Sequence, residues 1–518
     1  MAAQVTNRTE RAVKGTLVSF LQYGTQMLLQ LFLAPLVLRM AGQESLGAYA
    51  LLMQVVGYLA MTDLGFSVTL NRYLAQAHGH DDAGKRFRDV LSTARTFLFG
   101  SNLLFAVLTL ILSLKVDVLF SLSPQVAAQA RQGLTLMALW ALVRTPWTVY
   151  GIGLNATQNL AAANFIGIIG NAARLIFSLG LVYAGGGLAG LILANVLAEV
   201  LSTALSALKF RTLYPLHRPV WGLPDTALFR EMLRFSGQAM LINIAWRLVY
   251  YTDNIVIGSI YGAVAASIYY STQMPATIGF TILNRVSDNV APAINELYAR
   301  GEAAKLRENF LRLHRLNMLL VLPLVSGLLL LNGRLIALWV GSGQYAGELM
   351  TAALAAFAFL ITVSHVCNTF VFASGKIRVY SFVTVLEGVS NLGLSILLGK
   401  YLGLAGVMWA SVITHLPTTA YLMIVAMRSM KISFSECLRV CVVPLVLPIG
   451  AGYAAGAWSG ELLADRGWFT LIAQAIILLT VYGGTAYRLC LTRCEREMIS
   501  AQLLRVVQRV PGLNHGRL

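Results

Sequence analysis

The chain has 518 residues, of which 57% are hydrophobic and only 12% are charged, and its mean hydropathy is +0.69. Soluble domains carry about twice that share of charged residues, so the composition excludes them and predicts an all-α polytopic membrane protein. The formal net charge of +17 is distributed over many loops, which argues against a nucleic-acid partner.

Hydropathy predicts fourteen membrane-spanning helices, each close to the ~20 residues that a hydrocarbon layer ~30 Å thick requires. The first apolar stretch is too long for a cleavable leader and lacks a good cleavage site, so we expect no signal peptide. The predicted spans are residues 15–37, 46–68, 91–113, 131–153, 162–184, 187–209, 233–258, 264–288, 312–333, 346–373, 378–399, 404–427, 438–458 and 467–489.

The distribution of basic residues between the loops predicts the orientation. If the N-terminus is cytoplasmic, the inside segments hold 28 lysines and arginines and the outside segments hold six. Because cytoplasmic loops carry the excess of positive charge in membrane proteins, this bias places both termini in the cytoplasm. We therefore expect a multi-pass membrane protein with its N-terminus and its C-terminus inside.

The two halves of the sequence share one pattern. A polar, basic segment follows the second span, YLAQAHGHDDAGKRFRDVL, and a similar one follows the eighth, INELYARGEAAKLRENFL. Superposing Lys85 on Lys305 gives an offset of 220 residues and lays the first span on the seventh. We therefore predict two pseudo-symmetric six-helix bundles followed by two additional helices. The predicted domains are 1–209, a cytoplasmic linker at 210–232, 233–430, and 431–518, which includes a basic cytoplasmic tail.

The sequence has no cysteine, histidine or nucleotide-binding pattern typical of an enzyme, so we predict that the protein is not one. The five cysteines are too few and too scattered for a disulfide framework, and the seven histidines show no HxxxH spacing and only one HxH pair, His78 and His80, which does not by itself define a metal site. The sequence contains no Walker motif, so ATP does not drive the protein directly. We predict no catalytic residue, no metal site and no bound cofactor.

The seventh predicted span carries ionisable residues well inside its ends. In Phe235–Ile260, FSGQAMLINIAWRLVYYTDNIVIGSI, both Arg247 and Asp253 lie where an ionised side chain in lipid costs at least ~2.5–3.5 kcal/mol. At about 100° per residue, one face of this helix collects Asn243, Arg247, Tyr250, Tyr251 and Asn254. We expect this face to line protein or water and to bind substrate. The alternative is a static Arg247–Asp253 clamp between packed helices.

Arginines within predicted spans suggest that the protein binds a polyanion. Arginine stays protonated and binds phosphate through two parallel hydrogen bonds, so a cavity lined by several arginines favours a pyrophosphate. The candidates are Arg144, Arg174, Arg247 and Arg285. For Arg285 the alternative is an intrahelical pair with Asp288, near the cytoplasmic end of the eighth span.

Carboxylates within predicted spans suggest ion coupling. A proton or Na⁺ offsets the cost of burying their charge, which is why such residues recur in pumps and transporters. The candidates for ion coupling or gating are Asp63, Glu199, Asp253, Asp288 and Glu387, with His365 and His415 as weaker members. The alternative for each carboxylate is a structural pair with an arginine, and the sequence does not decide between H⁺ and Na⁺.

Two stretches resemble the polysaccharide-transporter branch of the multidrug/oligosaccharidyl-lipid/polysaccharide exporter superfamily. They are GAYALLMQVVGYLAMTDLGFSVTLNRYLAQA at 47–77 and YTDNIVIGSIYGAVAASIYYSTQMPATIG at 251–279, and the hydropathy pattern is similar over nearly the whole chain. The resemblance implies a flippase that moves undecaprenyl-pyrophosphate-linked oligosaccharide, an O-antigen or exopolysaccharide repeat unit. Transport would run from the inner to the outer leaflet of the bacterial cytoplasmic (inner) membrane by alternating access. It also implies that membrane lipid, a polysaccharide polymerase and chain-length machinery are partners.

The chain departs from the related lipid II flippases in its first span. Those proteins carry an arginine in the interior of that span, whereas here Arg39 lies only at its outer end. Lipid II itself is therefore not the expected substrate. In the same proteins the two extra C-terminal helices offer a groove for the lipid tail, a role that the thirteenth and fourteenth spans could fill.

Two other functions compete with this prediction. A cation-coupled multidrug antiporter of the same superfamily would need an acidic, aromatic cavity, and the excess of buried arginine argues against one. A membrane-embedded glycan transferase or ligase would need a sizeable extramembrane loop, but the longest outside loop, 114–130, has about seventeen residues. The sequence therefore favours the flippase.

Overall fold

The computed structural model describes residues 2–78, 84–215, 225–375, 377–463, 466–490 and 496, and the regular structure of these residues is helical throughout. Short 3-10 helices at Ala60–Asp63, Ser342–Gln344 and Val443–Leu445 interrupt the α-helices. The α-helices are α1 (Ala2–Ala41), α2 (Gln43–Leu59), α3 (Phe66–His78), α4 (Lys85–Phe120), α5 (Pro124–Ala156), α6 (Leu160–Tyr183), α7 (Gly187–Leu213), α8 (Thr226–Ala299), α9 (Ala303–Trp339), α10 (Glu348–Ala373), α11 (Ile377–Met430), α12 (Phe434–Cys441), α13 (Val446–Leu462) and α14 (Trp468–Leu489).

Each of the fourteen predicted spans falls on these helices, because two long helices carry two spans each. α8 has 74 residues and α11 has 54, and a helix rises about 1.5 Å per residue, so each is long enough to cross a bilayer twice. Each is divided by a kink at a glycine with positive φ, Gly262 (81°) in α8 and Gly403 (63°) in α11. Only glycine adopts this backbone conformation without a steric penalty. The helices α3 and α12, with 13 and 8 residues, are each too short to cross a bilayer alone.

The prediction of a multi-span membrane protein is confirmed. Eleven helical segments among the described residues are long and apolar enough to cross a membrane. Two of them, Tyr251–Ala299 and Val379–Met430, are the long kinked segments. α5 is not among the eleven, because Arg144 and Pro146 lower the hydropathy of its middle. Large apolar side chains such as Leu114 are more than two-thirds exposed, as expected for a surface covered by lipid rather than water.

The chain forms two compact units. Unit 1 comprises Met1–Thr272, Trp339–Ala346 and Ser381–Thr414. Unit 2 comprises Gln273–Leu338, Gly347–Tyr380 and His415–Leu518. The domain boundaries inferred from the sequence repeat, at 209, 232 and 430, stay a prediction.

Two helices of unit 1 have their first turn capped by a side chain from another helix. The Glu44 carboxylate of α2 accepts hydrogen bonds from the backbone amide and the hydroxyl of Ser123, over 2.6 and 2.8 Å, at the start of α5. Gln129 of α5 accepts a hydrogen bond of 2.8 Å from the amide of Leu188, at the start of α7. Both contacts satisfy amides that a helix leaves unpaired at its N-terminus, and the Glu44 charge also complements the helix dipole.

In unit 2, α14 is joined to α9 through a carbonyl group that proline leaves unpaired. Pro323 lies inside α9 and has no N–H, so the carbonyl oxygen of Leu319 four residues earlier lacks its helical donor. The Tyr482 hydroxyl of α14 donates to this oxygen over 2.9 Å. Since no water is available in hydrocarbon, this contact satisfies a group that would otherwise be costly to bury.

Candidate functional site

The predicted site residues are divided between the two units. The side chains of Asn243 and Tyr250 lie outside the described part of the structure, although the helix through them is described. Unit 2 holds Arg285, Asp288, His365 and His415. Unit 1 holds Asp63, Arg144, Arg174, Glu199, Arg247, Tyr251, Asp253, Asn254 and Glu387.

Arg144 and Glu199 are brought together in unit 1. Nη1 of Arg144 on α5 donates to Oε1 of Glu199 on α7, and the side chains are 25% and 39% exposed. Asn102 of α4 lies beside this pair, with its Oδ1 3.5 Å from Arg144 Nη2 and its Nδ2 3.0 Å from the Thr145 hydroxyl. Nε of Arg144 is buried and has no hydrogen-bond partner. The pair therefore joins a predicted phosphate-binding residue to a predicted coupling residue and leaves one donor of Arg144 unused.

Arg174 lies on α6, one turn beyond a close contact with α1. Asn171 donates to the Thr25 hydroxyl over 3.1 Å, and a Cβ added at Gly167 would lie 2.1 Å from Gln22 Nε2. The small residue lets α1 and α6 approach closely, as is common between membrane helices. Nε of Arg174 is buried without a hydrogen-bond partner, and no described carboxylate forms an ion pair with its guanidinium.

Arg247 of α8 is held by aromatic side chains rather than by a carboxylate. Its guanidinium carbon lies 5.3 Å from the centre of the Tyr251 ring, a cation–π contact. Glycine at position 57 leaves room for it, since a Cβ there would lie 3.2 Å from Arg247 Nη1. The Tyr58 hydroxyl donates to the Arg247 carbonyl over 2.8 Å and lies 2.6 Å from the Thr252 hydroxyl. Among the described residues Arg247 has no ion-pair partner, so its charge is available to a ligand.

Asp253 does not form the clamp with Arg247 that the sequence left open. The carboxylate is 9% exposed, and its Oδ2 accepts hydrogen bonds from the hydroxyls of Tyr269 and Ser411, each over 2.9 Å. Ser411 in turn accepts a hydrogen bond of 2.8 Å from Asn391 Nδ2. Asp253 is thus buried in a neutral polar network built from both parts of α8 and both parts of α11.

Several oxygen atoms of α8 and α11 accept no hydrogen bond from the described residues. They are Asp253 Oδ1, Asn254 Oδ1, Asn391 Oδ1 and Ser395 Oγ, all buried. Glu387, one turn before Asn391 on α11, is only 5% exposed. Unpartnered buried oxygens are rare in folded proteins, and oxygen atoms are the ligands that hard cations prefer.

Asp63 lies at the break between α2 and α3. Its Oδ1 accepts a hydrogen bond of 2.8 Å from the Phe66 amide, and its Oδ2 accepts one of 2.6 Å from the Ser67 hydroxyl. Asp63 therefore caps the first turn of α3 after the chain passes through positive φ at Leu64 and Gly65. Its role in coupling stays a prediction.

In unit 2, Asp288 bridges Arg285 and His365. Its Oδ2 lies 3.0 Å from Arg285 Nη1, so the intrahelical pair predicted from the spacing is confirmed. Its Oδ1 lies 2.8 Å from Nε2 of His365 on α10. His415 takes a different partner, the Ser364 hydroxyl, at 2.9 Å.

Sequence reasoning missed the neutral residues that hold the charged ones. Asn102, Tyr58, Tyr269, Asn391 and Ser411 contact the predicted site residues. Asparagine is uncommon within a membrane span, so Asn102 and Asn391 could have been found by the argument applied to the arginines. Hydroxyl groups are common in membrane helices and gave no such signal.

Comparison with known proteins identifies similar sequences and folds. Residues 12–297 match the family model described as "Polysaccharide biosynthesis protein". The "Putative O-antigen transporter" of Shigella flexneri is 22% identical over 387 residues, which are 70% of this chain and 85% of that protein.

Two solved structures show the same fold. The lipid II flippase MurJ, in an inward closed conformation, has a TM-score of 0.67 and 15% sequence identity, covering 95% of this chain and 100% of its own. An inward-facing multidrug resistance MATE family transporter of the MOP superfamily has a TM-score of 0.66 and 16% identity, covering 78% of this chain and 94% of its own.

Proposed function

Because the chain belongs to the polysaccharide biosynthesis protein family, we propose that it moves undecaprenyl-pyrophosphate-linked oligosaccharide, an O-antigen or exopolysaccharide repeat unit, across the bacterial cytoplasmic membrane. The protein is a multi-span membrane transporter of the flippase type rather than an enzyme. The names of its relatives support a lipid-linked glycan as cargo, since one is an O-antigen transporter and another flips lipid II. The proposed transport runs from the inner to the outer leaflet by alternating access, with both termini in the cytoplasm.

The observation that carries the proposal is the pair of unneutralised arginines in unit 1. Arg174 and Arg247 have no carboxylate partner among the described side chains, although a bare charge in a membrane is costly. A pyrophosphate would supply the missing negative charge and accept paired hydrogen bonds from guanidinium groups. Tyr251 restrains the Arg247 guanidinium before the substrate arrives, which reduces the entropy lost on binding.

Arg144 completes the proposed phosphate site in a different way. It is already paired with Glu199, and both side chains are partly exposed, so an incoming phosphate would compete with Glu199 for the guanidinium. This exchange makes substrate binding change the contact between α5 and α7. Glu199 is thereby a gating residue and Arg144 a binding residue. In unit 2 we assign Arg285 to the substrate and Asp288 to gating, because Asp288 bridges Arg285 and His365.

Asp253 is the proposed coupling residue. Its carboxylate is buried among neutral groups, so a proton or a monovalent cation must neutralise it. The unpartnered Oδ1 of Asp253 can bind either H⁺ or Na⁺, and the ion would supply the free energy of its gradient. Asp253 binds the ion. The Ser411 hydroxyl, which donates to Asp253 and accepts from Asn391, transmits the charge state of Asp253 to Asn391 on α11. The polysaccharide polymerase and chain-length machinery would act on the exported product.

The proposal is tested by complementation of a strain that lacks the gene. The wild-type chain should restore surface polysaccharide, whereas Arg174→Ala and Arg247→Ala should leave lipid-linked intermediate on the inner leaflet, at least about tenfold above wild type. Arg131→Ala is the matched control, because Arg131 is exposed and paired with Asp117. Full complementation by both variants would refute the phosphate site. Export of a cationic dye without a polysaccharide defect would instead identify a drug antiporter.

A further inference from the structure

Residues Trp339–Ala346 form a short segment, here named the strap, that belongs to unit 1. The helices on either side belong to unit 2, since unit 2 includes α9 up to Leu338 and resumes at Gly347. The strap contains the 3-10 helix Ser342–Gln344. Each end of the strap contacts another helix of unit 1, α1 at one end and α8 at the other.

The first attachment is to α1. Pro35 lies inside α1 and has no N–H, so the carbonyl oxygen of Leu31 lacks its helical donor. The indole N–H of Trp339 donates to this oxygen over 2.9 Å. Trp339 and Val340 also pack against the apolar cluster that includes Val37 of α1. This end of the strap is held by packing and by a backbone group that has no other donor in its helix.

The second attachment is to a row of hydroxyl groups on α8. Oε1 of Gln344 accepts hydrogen bonds from Ser267 and Ser271 over 3.0 and 3.3 Å. Thr272 donates to the Gln344 carbonyl and accepts from the Ala346 amide, each over 3.0 Å. Gln344 is only 5% exposed. All four contacts are neutral hydrogen bonds, which are individually weak.

A glycine with positive φ lies near each end of the strap, Gly341 at 101° and Gly347 at 95°. A Cβ at either position would meet nothing within 4 Å, so glycine is required by the backbone conformation and not by packing. Such residues are suited to absorb a change of dihedral angle at the borders of a moving segment.

We propose that the strap is a latch that ties α1 to α8 and must release its Gln344 end in each transport cycle. The inference rests on the alternating access proposed above. Because α9 ends at Trp339 and α10 begins at Glu348, a change in the direction of either helix can be absorbed by the backbone angles of Gly341 and Gly347. The Gln344 end is the one that yields, because the contacts of its side chain with Ser267 and Ser271 are neutral hydrogen bonds, whereas Trp339 packs against an apolar cluster and satisfies the carbonyl that Pro35 leaves unpaired.

A reversible cross-link tests the latch. In a variant without native cysteines, Ser267→Cys and Gln344→Cys are combined, and the disulfide is verified by intact mass. Oxidation should reduce flipping of lipid-linked oligosaccharide at least tenfold, and a reductant should restore it. The matched control is Glu44→Cys with Ser123→Cys, a contact between α2 and α5 outside the strap, whose oxidation should leave flipping unchanged. Full transport by the oxidised strap pair would overturn the proposal.

A second measurement does not depend on the identity of the substrate. Ser267→Cys alone is alkylated with N-ethylmaleimide in purified protein, with Gln344 native or changed to Ala. Loss of the Gln344 side chain should speed alkylation at least tenfold if Gln344 covers this hydroxyl in a closed latch. Equal rates would overturn the latch. If alkylation responds but the wild-type chain does not flip the oligosaccharide, the contact at the Gln344 end stands and the proposed cargo fails.

Discussion

Arg144 donates a hydrogen bond to Glu199 and so connects α5 to α7 inside unit 1. The two residues are 55 positions apart, and each remains partly exposed, at 25% and 39%. An ion pair that is both inside a membrane helix bundle and open to a ligand can serve stability and transport at once. To separate the contribution of the pair to stability from its contribution to transport, we compare two variants that each remove one charge with a third that removes both.

Removing either partner of this pair should destabilise the protein more than removing both. Arg144→Ala leaves Glu199 without a cation, and Glu199→Ala leaves Arg144 without an anion, whereas the double variant leaves neither charge unpaired. We expect a coupling energy of about 0.5–3 kcal/mol in a double-mutant cycle of unfolding in detergent. The double variant should regain stability but not transport, because the proposed phosphate donor is lost. Additive single effects would show that the pair contributes nothing.

Asp253→Asn should fold normally but lose its response to the coupling ion. The asparagine Oδ1 can still accept from Tyr269 and Ser411, while the charge that requires a counterion is gone. Na⁺ should stabilise the wild-type protein by about 2.7 kcal/mol at 100 times its Kd, or acidification should do so if the ion is H⁺. Asp117→Asn, at an exposed ion pair, serves as control and should respond as wild type does. An undiminished response of Asp253→Asn would place the coupling site elsewhere.

Gly47→Ala should destabilise unit 1 because α2 and α8 are in direct contact there. A Cβ at Gly47 would lie 1.7 Å from the Ala263 carbonyl oxygen, so one backbone must move. Overpacking of this kind costs about 1–3 kcal/mol. Gly24→Ala in α1 is the control, since a Cβ there meets nothing within 4 Å, and it should be neutral or stabilising by up to about 1 kcal/mol. Thermal unfolding of both variants in detergent measures the difference.

The contact between Tyr482 and Leu319 should depend on Pro323. Tyr482→Phe removes the hydroxyl that donates to the Leu319 carbonyl and should cost about 1 kcal/mol. In a Pro323→Ala background the alanine N–H can bond to Leu319 within α9, so the same change should cost almost nothing. Unfolding free energies of the four proteins give the coupling. An equal penalty in both backgrounds would mean that Tyr482 stabilises α14 through packing alone.

The positions of the spans could be predicted because the bilayer imposes them locally. About twenty apolar residues identify a span regardless of its neighbours, and even the kink at Gly262 separates two stretches that hydropathy already divides. The partners of the charged residues could not be predicted in this way. Asp253 and Ser411 are 158 residues apart, and nothing in either local sequence specifies the contact.

Contacts between side chains close in the sequence could be predicted, whereas a contact between a side chain and a distant backbone carbonyl could not. The Arg285–Asp288 pair follows from spacing on one helix. The contact of Trp339 with the Leu31 carbonyl depends on a backbone atom made available by Pro35, and a list of side chains does not reveal such an atom. Proline positions inside predicted spans are therefore places to look for donors from other helices.

The caps that Glu44 and Gln129 supply are consistent with helices α2, α5 and α7 assembling in the order in which they are synthesised. The first turn of α5 is completed by a residue of α2, and the first turn of α7 by a residue of α5. During synthesis from the N-terminus, each residue whose side chain accepts the capping hydrogen bonds is synthesised before the helix that it caps. For α5 and α7, the side chain that completes the first turn is therefore encoded upstream of the helix that it caps.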